Sequence, residues 1–148
     1  MSYTNIIKTR VIDSLETLLR TEFVGIRIYY DKIEGKEGIL IRPVTDDYLS
    51  HSAASHNRTY QIDLRVYQKL PGDVTKSKTI EPLTNQVERI KRLLFNNANY
   101  SPSSVYKYHD GIVLRVDYSP PLEDWELELN EFKIVSIIYQ TTVSEAIS

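Results

Sequence analysis

The spacing of apolar residues changes period repeatedly along this chain, and that alternation constrains the fold more than any other feature. Residues 5–21 (NIIKTRVIDSLETLLRT) put Ile7, Val11, Leu15 and Leu18 on one helical stripe, whereas residues 60–67 (YQIDLRVY) put Tyr60, Ile62, Leu64 and Val66 on one strand face. A second helical stripe follows at Leu83, Val87, Ile90 and Leu94, and then a second block of strand-like sequence. Helix, strands, helix, strands must share one core, because each amphipathic face needs apolar cover. The expected fold class is α+β: a mixed, mainly antiparallel β-sheet with two main α-helices packed on one face. At 148 residues the chain suits one domain over 1–148.

The first helix is expected to start at Thr4 or Asn5 and to end at Gly25. A strand VGIRIYY then points Val24, Ile26, Ile28 and Tyr30 inward, and DKIEGKEG turns the chain into a second strand, GILIRPV. Pro43 lacks an amide donor, so it ends that strand's pairing or confines it to an edge. Residues 45–59 (TDDYLSHSAASHNRT) hold few large apolar side chains and read as a long polar loop, followed by a strand over 59–70 and a Pro71-Gly72-Asp73 turn. The second helix runs from about Ile80 to Asn96, with Pro82 in its first turn and Glu88 and Arg92 at the helix-stabilising i,i+4 spacing, and NNANYSP closes it.

In the last third a strand at Val105–Tyr108 precedes a tight turn over Tyr108-His109-Asp110-Gly111-Ile112, since Asp-Gly favours hairpins, and GIVLRVDYS continues. Trp125, Leu127 and Leu129 alternate as on a strand, which leaves Glu126 and Glu128 on its wet face, and the inward parity switches near Asn130-Glu131. Residues 134–139 (IVSIIY) are apolar on both faces, as in a central strand. Two helices cover one sheet face well and the other poorly. The second face is therefore covered either by another subunit or by long loops of the same chain.

Charge and composition exclude several functions. With 18 basic and 20 acidic residues the net charge is -2, which gives no global attraction to nucleic acid or an anionic membrane. The absence of cysteine removes disulfides, thiolate zinc sites and thiol catalysis. The start MSYTNIIKTR has no apolar signal core and no apolar run is long enough to span a membrane, so synthesis in the cytoplasm is expected, and the sequons at Asn57 and Asn99, which need secretion, carry little weight.

Sites for chemistry are few. His51 and His56 lie near Asp46 and Asp47 and offer metal-ligand types, but without a further ligand cluster the reading of a solvated loop is preferred. Ser50, Ser52 and Ser55 sit beside those histidines without a nucleophile elbow. Glu123, Asp124, Glu126 and Glu128 could form an acid/base pair, yet their alternation with apolar residues favours a solvated face. Lys69, Lys76 and Lys78, with Arg89, Lys91, Arg92 and the nearby Tyr67, could contact phosphates and bases, but intervening acids dilute the field. No Gly-rich phosphate loop occurs. Neither a catalytic residue nor a cofactor or metal site is expected.

The residue order resembles the tail-terminator proteins of long-tailed bacteriophages, also called tail-completion or minor tail proteins. The resemblance covers nearly the whole chain: IIKTRVIDSLETLLRTEF, VGIRIYY, NRTYQIDLRVYQKL, PLTNQVERIKRLLF, GIVLRVDY and ELELNEFKIVSIIYQTTV. It implies a structural virion protein, not an enzyme, forming a homo-oligomeric, hexameric ring on the tail tube. Such a ring ends tube polymerisation and meets neck or head-completion (adaptor) proteins, while DNA passes through without specific binding; the alternative is another phage neck or head-tail adaptor protein, distinguished by which partner it binds. The implied location is the tail or neck of the virion, after assembly in the host cytoplasm. With that resemblance, Asp46, Asp47, Tyr48, His51 and His56 are candidates for contact with an adjoining ring, against a disordered loop. Val135, Ile137 and Tyr139 are candidates for subunit packing, against ordinary core.

Overall fold

A computed structural model describes residues 5–32, 37–51, 55–69, 76–99, 108–127 and 132–146. A π-helical segment, Ile7–Ile12, runs directly into helix α1, Asp13–Glu22. Asn5 opens it, accepting from the Lys8 amide through Oδ1 at 3.3 Å and from the Thr9 amide through its carbonyl at 3.0 Å. Val11, Leu15 and Leu19 are fully buried at i,i+4 spacing. Gly25 takes φ 83° just past the helix, a conformation that costs glycine little and lets the chain reverse, as expected for the stop signal there.

Among the described residues the sheet has five strands: β1 (Ile28–Tyr29), β2 (Glu37–His51), β3 (Ser55–Lys69), β4 (His109–Asp117) and β5 (Phe132–Ala146), in the order β1-β2-β3-β5-β4. Only β1 and β2 are parallel; β2/β3, β3/β5 and β4/β5 are antiparallel. The fold is therefore the mixed, mostly antiparallel α+β class expected from the alternating periods. Helix α2 (Lys76–Asn96) lies between β3 and β4 in the chain, and a single helical turn, α3 (Asp124–Leu127), lies between β4 and β5.

Register assigns the two faces. Tyr60, Ile62, Leu64 and Val66 of β3 stand opposite Thr141, Tyr139, Ile137 and Val135 of β5, and these eight face both helices. Leu83, Val87, Ile90 and Leu94 of α2 and the Val11 stripe complete this core, in which nearly every large side chain is less than 5% exposed. Burial of each such side chain stabilises by roughly 1.5–3 kcal/mol, enough in sum to hold both helices on the sheet. The opposite face carries a smaller cluster, Leu40, Tyr67 and Ile134 with Tyr29, Trp125 and Phe132 packed around it.

Several local expectations are corrected. Residues 45–59 are not a loop through most of their length: β2 continues through Pro43 to His51, and β3 starts at Ser55, so the two pair as an extended ribbon. Pro43 is tolerated because β1 pairs with β2 only at Ile39 and Leu40, which leaves Pro43 on an edge, next to a register shift between Pro43 and Thr45. The strand expected over Val24–Tyr30 shrinks to two residues, and Val24 is 94% exposed. Helix α2 starts at Lys76, so Pro82 lies inside it. Glu88 bonds Lys91 at 2.9 Å, the i,i+3 alternative to Arg92.

No hairpin turns at His109–Gly111. β4 runs through it, and the Asp-Gly signal is used instead for a bulge between His109 and Ile112, with Asp110 at φ 53°. Trp125 and Leu127 sit on the helical turn α3, not on a strand. The expected turns at DKIEGKEG and Pro71-Gly72-Asp73, the end of NNANYSP, the strand from Val105, and the parity switch at Asn130-Glu131 with Glu128 and Leu129 fall wholly or partly outside the described residues.

Candidate functional site

Polar chemistry concentrates on the sheet face away from the helices, where alternation along β3 puts Asp63, Arg65 and Tyr67. The chain leaving β4, Tyr118 to Leu127, crosses back to this face and brings Glu123 and Glu126 to it. Arg65 Nη1 donates to both oxygens of Glu126 at 2.7 and 2.9 Å, its Nε donates to Asp63 Oδ2 at 2.9 Å, and its Nη2 donates to the Pro121 carbonyl at 3.0 Å. Tyr67 donates its hydroxyl to Glu126 Oε2 at 2.6 Å, and the Glu123 amide donates to Glu126 Oε1 at 2.9 Å. Asp63 also accepts from Ser136 at 2.6 Å and from Arg42 at 3.1 Å, while Arg42 pairs with Glu123 and Trp125 Nε1 donates to Glu123 at 2.8 Å.

The side chains of Glu126, Asp63 and Arg65 are 0%, 4% and 6% exposed. Buried charges are tolerated only when paired and fully hydrogen-bonded, and this cluster meets that condition through two guanidiniums set against three carboxylates. Burial, followed by the adjacent Glu126 carboxylate, pushes the Tyr67 hydroxyl well above its ordinary pKa, which keeps it a donor. The groups face one another, and Arg65 and Glu126 join strand β3 to the Tyr118–Leu127 segment. The arrangement fastens that segment across the sheet as a strap.

The expectation for Glu126 is thus overturned. Its alternation with Trp125 and Leu127 suggested a wet strand face, but on the helical turn α3 it points inward as the most buried carboxylate described. Glu123 and Asp124 keep exposed positions. The strap also answers the question of cover. Leu40, Tyr67, Ile134 and Ile138 on the second face are at most 7% exposed within this single chain, so no second subunit is required there.

Val135, Ile137 and Tyr139, the expected subunit-packing residues, point the other way and are 0% exposed beneath the chain's own helices. They are core, and no surface of theirs remains for a neighbour. Gly111 sits directly over Tyr139: a Cβ there would lie 1.8 Å from the Tyr139 hydroxyl oxygen. The Gly111 amide donates to the Ala98 carbonyl at 2.8 Å, tying the end of α2 to β4.

The other expected contact residues come together on the β2–β3 ribbon. Asp46, Asp47 and Tyr48 are exposed; Asp46 accepts from Arg58 Nε at 2.6 Å, and the Arg58 guanidinium lies over the Tyr48 ring, 6.0 Å from its centre. His51 and His56 are register partners at the end of the ribbon. Among the described residues no group of three His, Asp or Glu is placed to hold a metal ion. Of the basic residues singled out, Arg89 stacks on Phe23 at 4.4 Å and bonds Glu22, so it pins α2 to the end of α1.

Two apolar surfaces flank the sheet edges. On one side Val44 and Tyr48 of β2 are 50% and 53% exposed; on the other, Phe95 of α2 and Ile112 of β4 are 79% and 54% exposed and border a groove of about 430 Å³ with Lys91, Arg92 and Val113. Neither surface was legible as such: Phe95 follows the buried Leu94, and its exposure depends on the rotation of α2. No protein-family model matches this chain, and no curated protein matches it.

Proposed function

We propose that this protein is a structural assembly protein of a phage virion, a ring that caps the tail tube, ends its polymerisation and joins the tail to neck or head-completion proteins. The observation that carries this reading is the ribbon of β2, β3 and β5. Each is a 15-residue strand, roughly 50 Å long at the usual rise per residue, and β2 and β3 run on past the last residue of β5 paired with β4. Its outer part displays charged and aromatic side chains on a stiff, hydrogen-bonded support, a form suited to contacting a neighbouring ring. The element order and the α+β sheet support the same reading through the family resemblance.

The polar side chains of the second face support it as well. They are consumed in holding the strap, so the largest buried charge cluster among the described residues serves rigidity, which an assembly part needs. The test is a tube-length assay. Tail-tube protein polymerised with increasing amounts of this chain and viewed by negative-stain electron microscopy is expected to give shorter tubes bearing a terminal ring. Tubes of unchanged length, with no added density at either end, would reject the proposal.

A further inference from the structure

The two open edges of the sheet are matched to each other. β4 ends one side of the strand order, and on the other side β2 carries β1 only at Ile39 and Leu40, which leaves Ile41 to His51 without a strand beyond them among the described residues. Register across the sheet sets these edges at the same height: Val116 is level with Ile41 through Ile137 and Leu64, Ile112 with Thr45 through Gln140 and Gln61, and His109 with Asp47 through Thr142 and Thr59. Three successive antiparallel pairings also make β4 run opposite to β2. A second copy rotated about an axis along the strands therefore brings its β2 alongside β4, antiparallel to it and at the same height.

Side chains and charge agree with that approach. Tyr48 and Asp46 stand opposite Arg58 and Tyr60 on the helix side of the sheet, the same side as the groove between α2 and β4. The groove offers apolar Phe95 and Val113 with a rim of Glu88, Lys91 and Arg92, in which Lys91 pairs with Glu88; the β2 edge offers apolar Val44 and Tyr48 with Asp46, which Arg58 shares, on the same face. Among the described residues, Arg92 is exposed and makes no ion pair within the chain, whereas Asp47, opposite Thr59, lies on the other sheet face. Pro43 removes one donor and register shifts interrupt both edges, so long main-chain pairing is blunted and side chains must carry the contact.

We infer that the groove between α2 and β4 is the docking site for the β2 edge of a second copy of this chain, with Val44 and Tyr48 on the Phe95 side of the groove and Asp46 against Arg92. The contact is head-to-tail, so each copy keeps one free surface of each kind and the assembly grows until it closes. This inference rests on the ring reading above and specifies which surfaces build the ring.

The chain has no cysteine, which makes paired thiols a direct test. Tyr48→Cys and Phe95→Cys are prepared as separate full-length chains, and circular dichroism checks that each folds, since both side chains are exposed. They are mixed and treated with a short bismaleimide, with Val24→Cys plus Phe95→Cys as the collision control. The expected result is a covalent heterodimer at least about ten times more abundant than in the control, and a ladder of multimers from the doubly substituted chain. Arg92→Glu is expected to weaken self-association by at least about tenfold in Kd, roughly 1.4 kcal/mol. If the unmodified chain assembles but the Tyr48/Phe95 pair links no better than the control, the docking site is wrong and the ring reading stands. If the chain stays monomeric with and without tube protein, both fall.

Discussion

Glu126 and Arg65 decide how the second sheet face is closed, and their effect is measurable one residue at a time. Removing one partner of a buried ion pair leaves the other charge uncompensated, so Glu126→Ala is expected to cost about 3–5 kcal/mol in denaturant unfolding. Gly111→Ala is expected to cost about 1–3 kcal/mol, because the new methyl group overlaps the Tyr139 hydroxyl. Adding Tyr139→Phe removes that oxygen and should recover part of the loss. Burial also raises the Tyr139 hydroxyl to about 12, above its ordinary value of 10.0. The unfolded chain then loses this proton first as pH rises, so stability is present below the ordinary value and falls between about pH 10 and pH 12. Tyr139→Phe should make that part of the pH profile shallower, with the remaining slope coming from other raised hydroxyls such as Tyr67. None of these residues announced its role in the sequence. Arg65 and Glu126 are 61 positions apart, and a charged residue alternating with apolar ones reads as solvated until a distant segment is known to cover it.

Elements were legible wherever one face is apolar and the other polar. The stripe of α2 and the alternation of Tyr60, Ile62, Leu64 and Val66 predict their own burial, because period alone identifies such faces, while in the first helix Val11 and Leu15 are buried as expected but Leu19 replaces Leu18, and Ile7 and Leu18 are only partly covered. The outer parts of β2 and β3 were illegible because they are polar on both sides, and pairing between their backbones rather than side-chain burial makes them strands. The Asp-Gly pair specifies the backbone conformation but not its setting, since positive φ serves a bulge as well as a turn. The strap is the element with the most specific test. Trp125 is the sole tryptophan and lies on α3, so its emission reports the strap directly. In Glu126→Ala that emission is expected to shift red at a lower denaturant concentration than the loss of helical circular dichroism. Coincident transitions would show that the strap opens only with the whole domain.

At the scale of the whole molecule, the fold has spent its polar interior on closure and left its variety on the edges. One edge carries Val44, Tyr48, Asp46 and Asp47, and the other carries Phe95, Ile112, Lys91 and Arg92. The expectation of a partner came from a sheet thought to lack cover on its second face. That premise fails, since the strap supplies the cover, and the case for assembly now rests on the ribbon and on the complementary edges. The expected contact accordingly moves from β5, which is core, to β2, β4 and α2. The central claim is that the chain works as a closed ring of identical subunits. Mass photometry of the full chain, alone and with tail-tube protein, decides this: a ring gives a species at an integral multiple of 17.2 kDa, expected near six copies, alone or with the added mass of bound tube protein, whereas a monomer under both conditions refutes it.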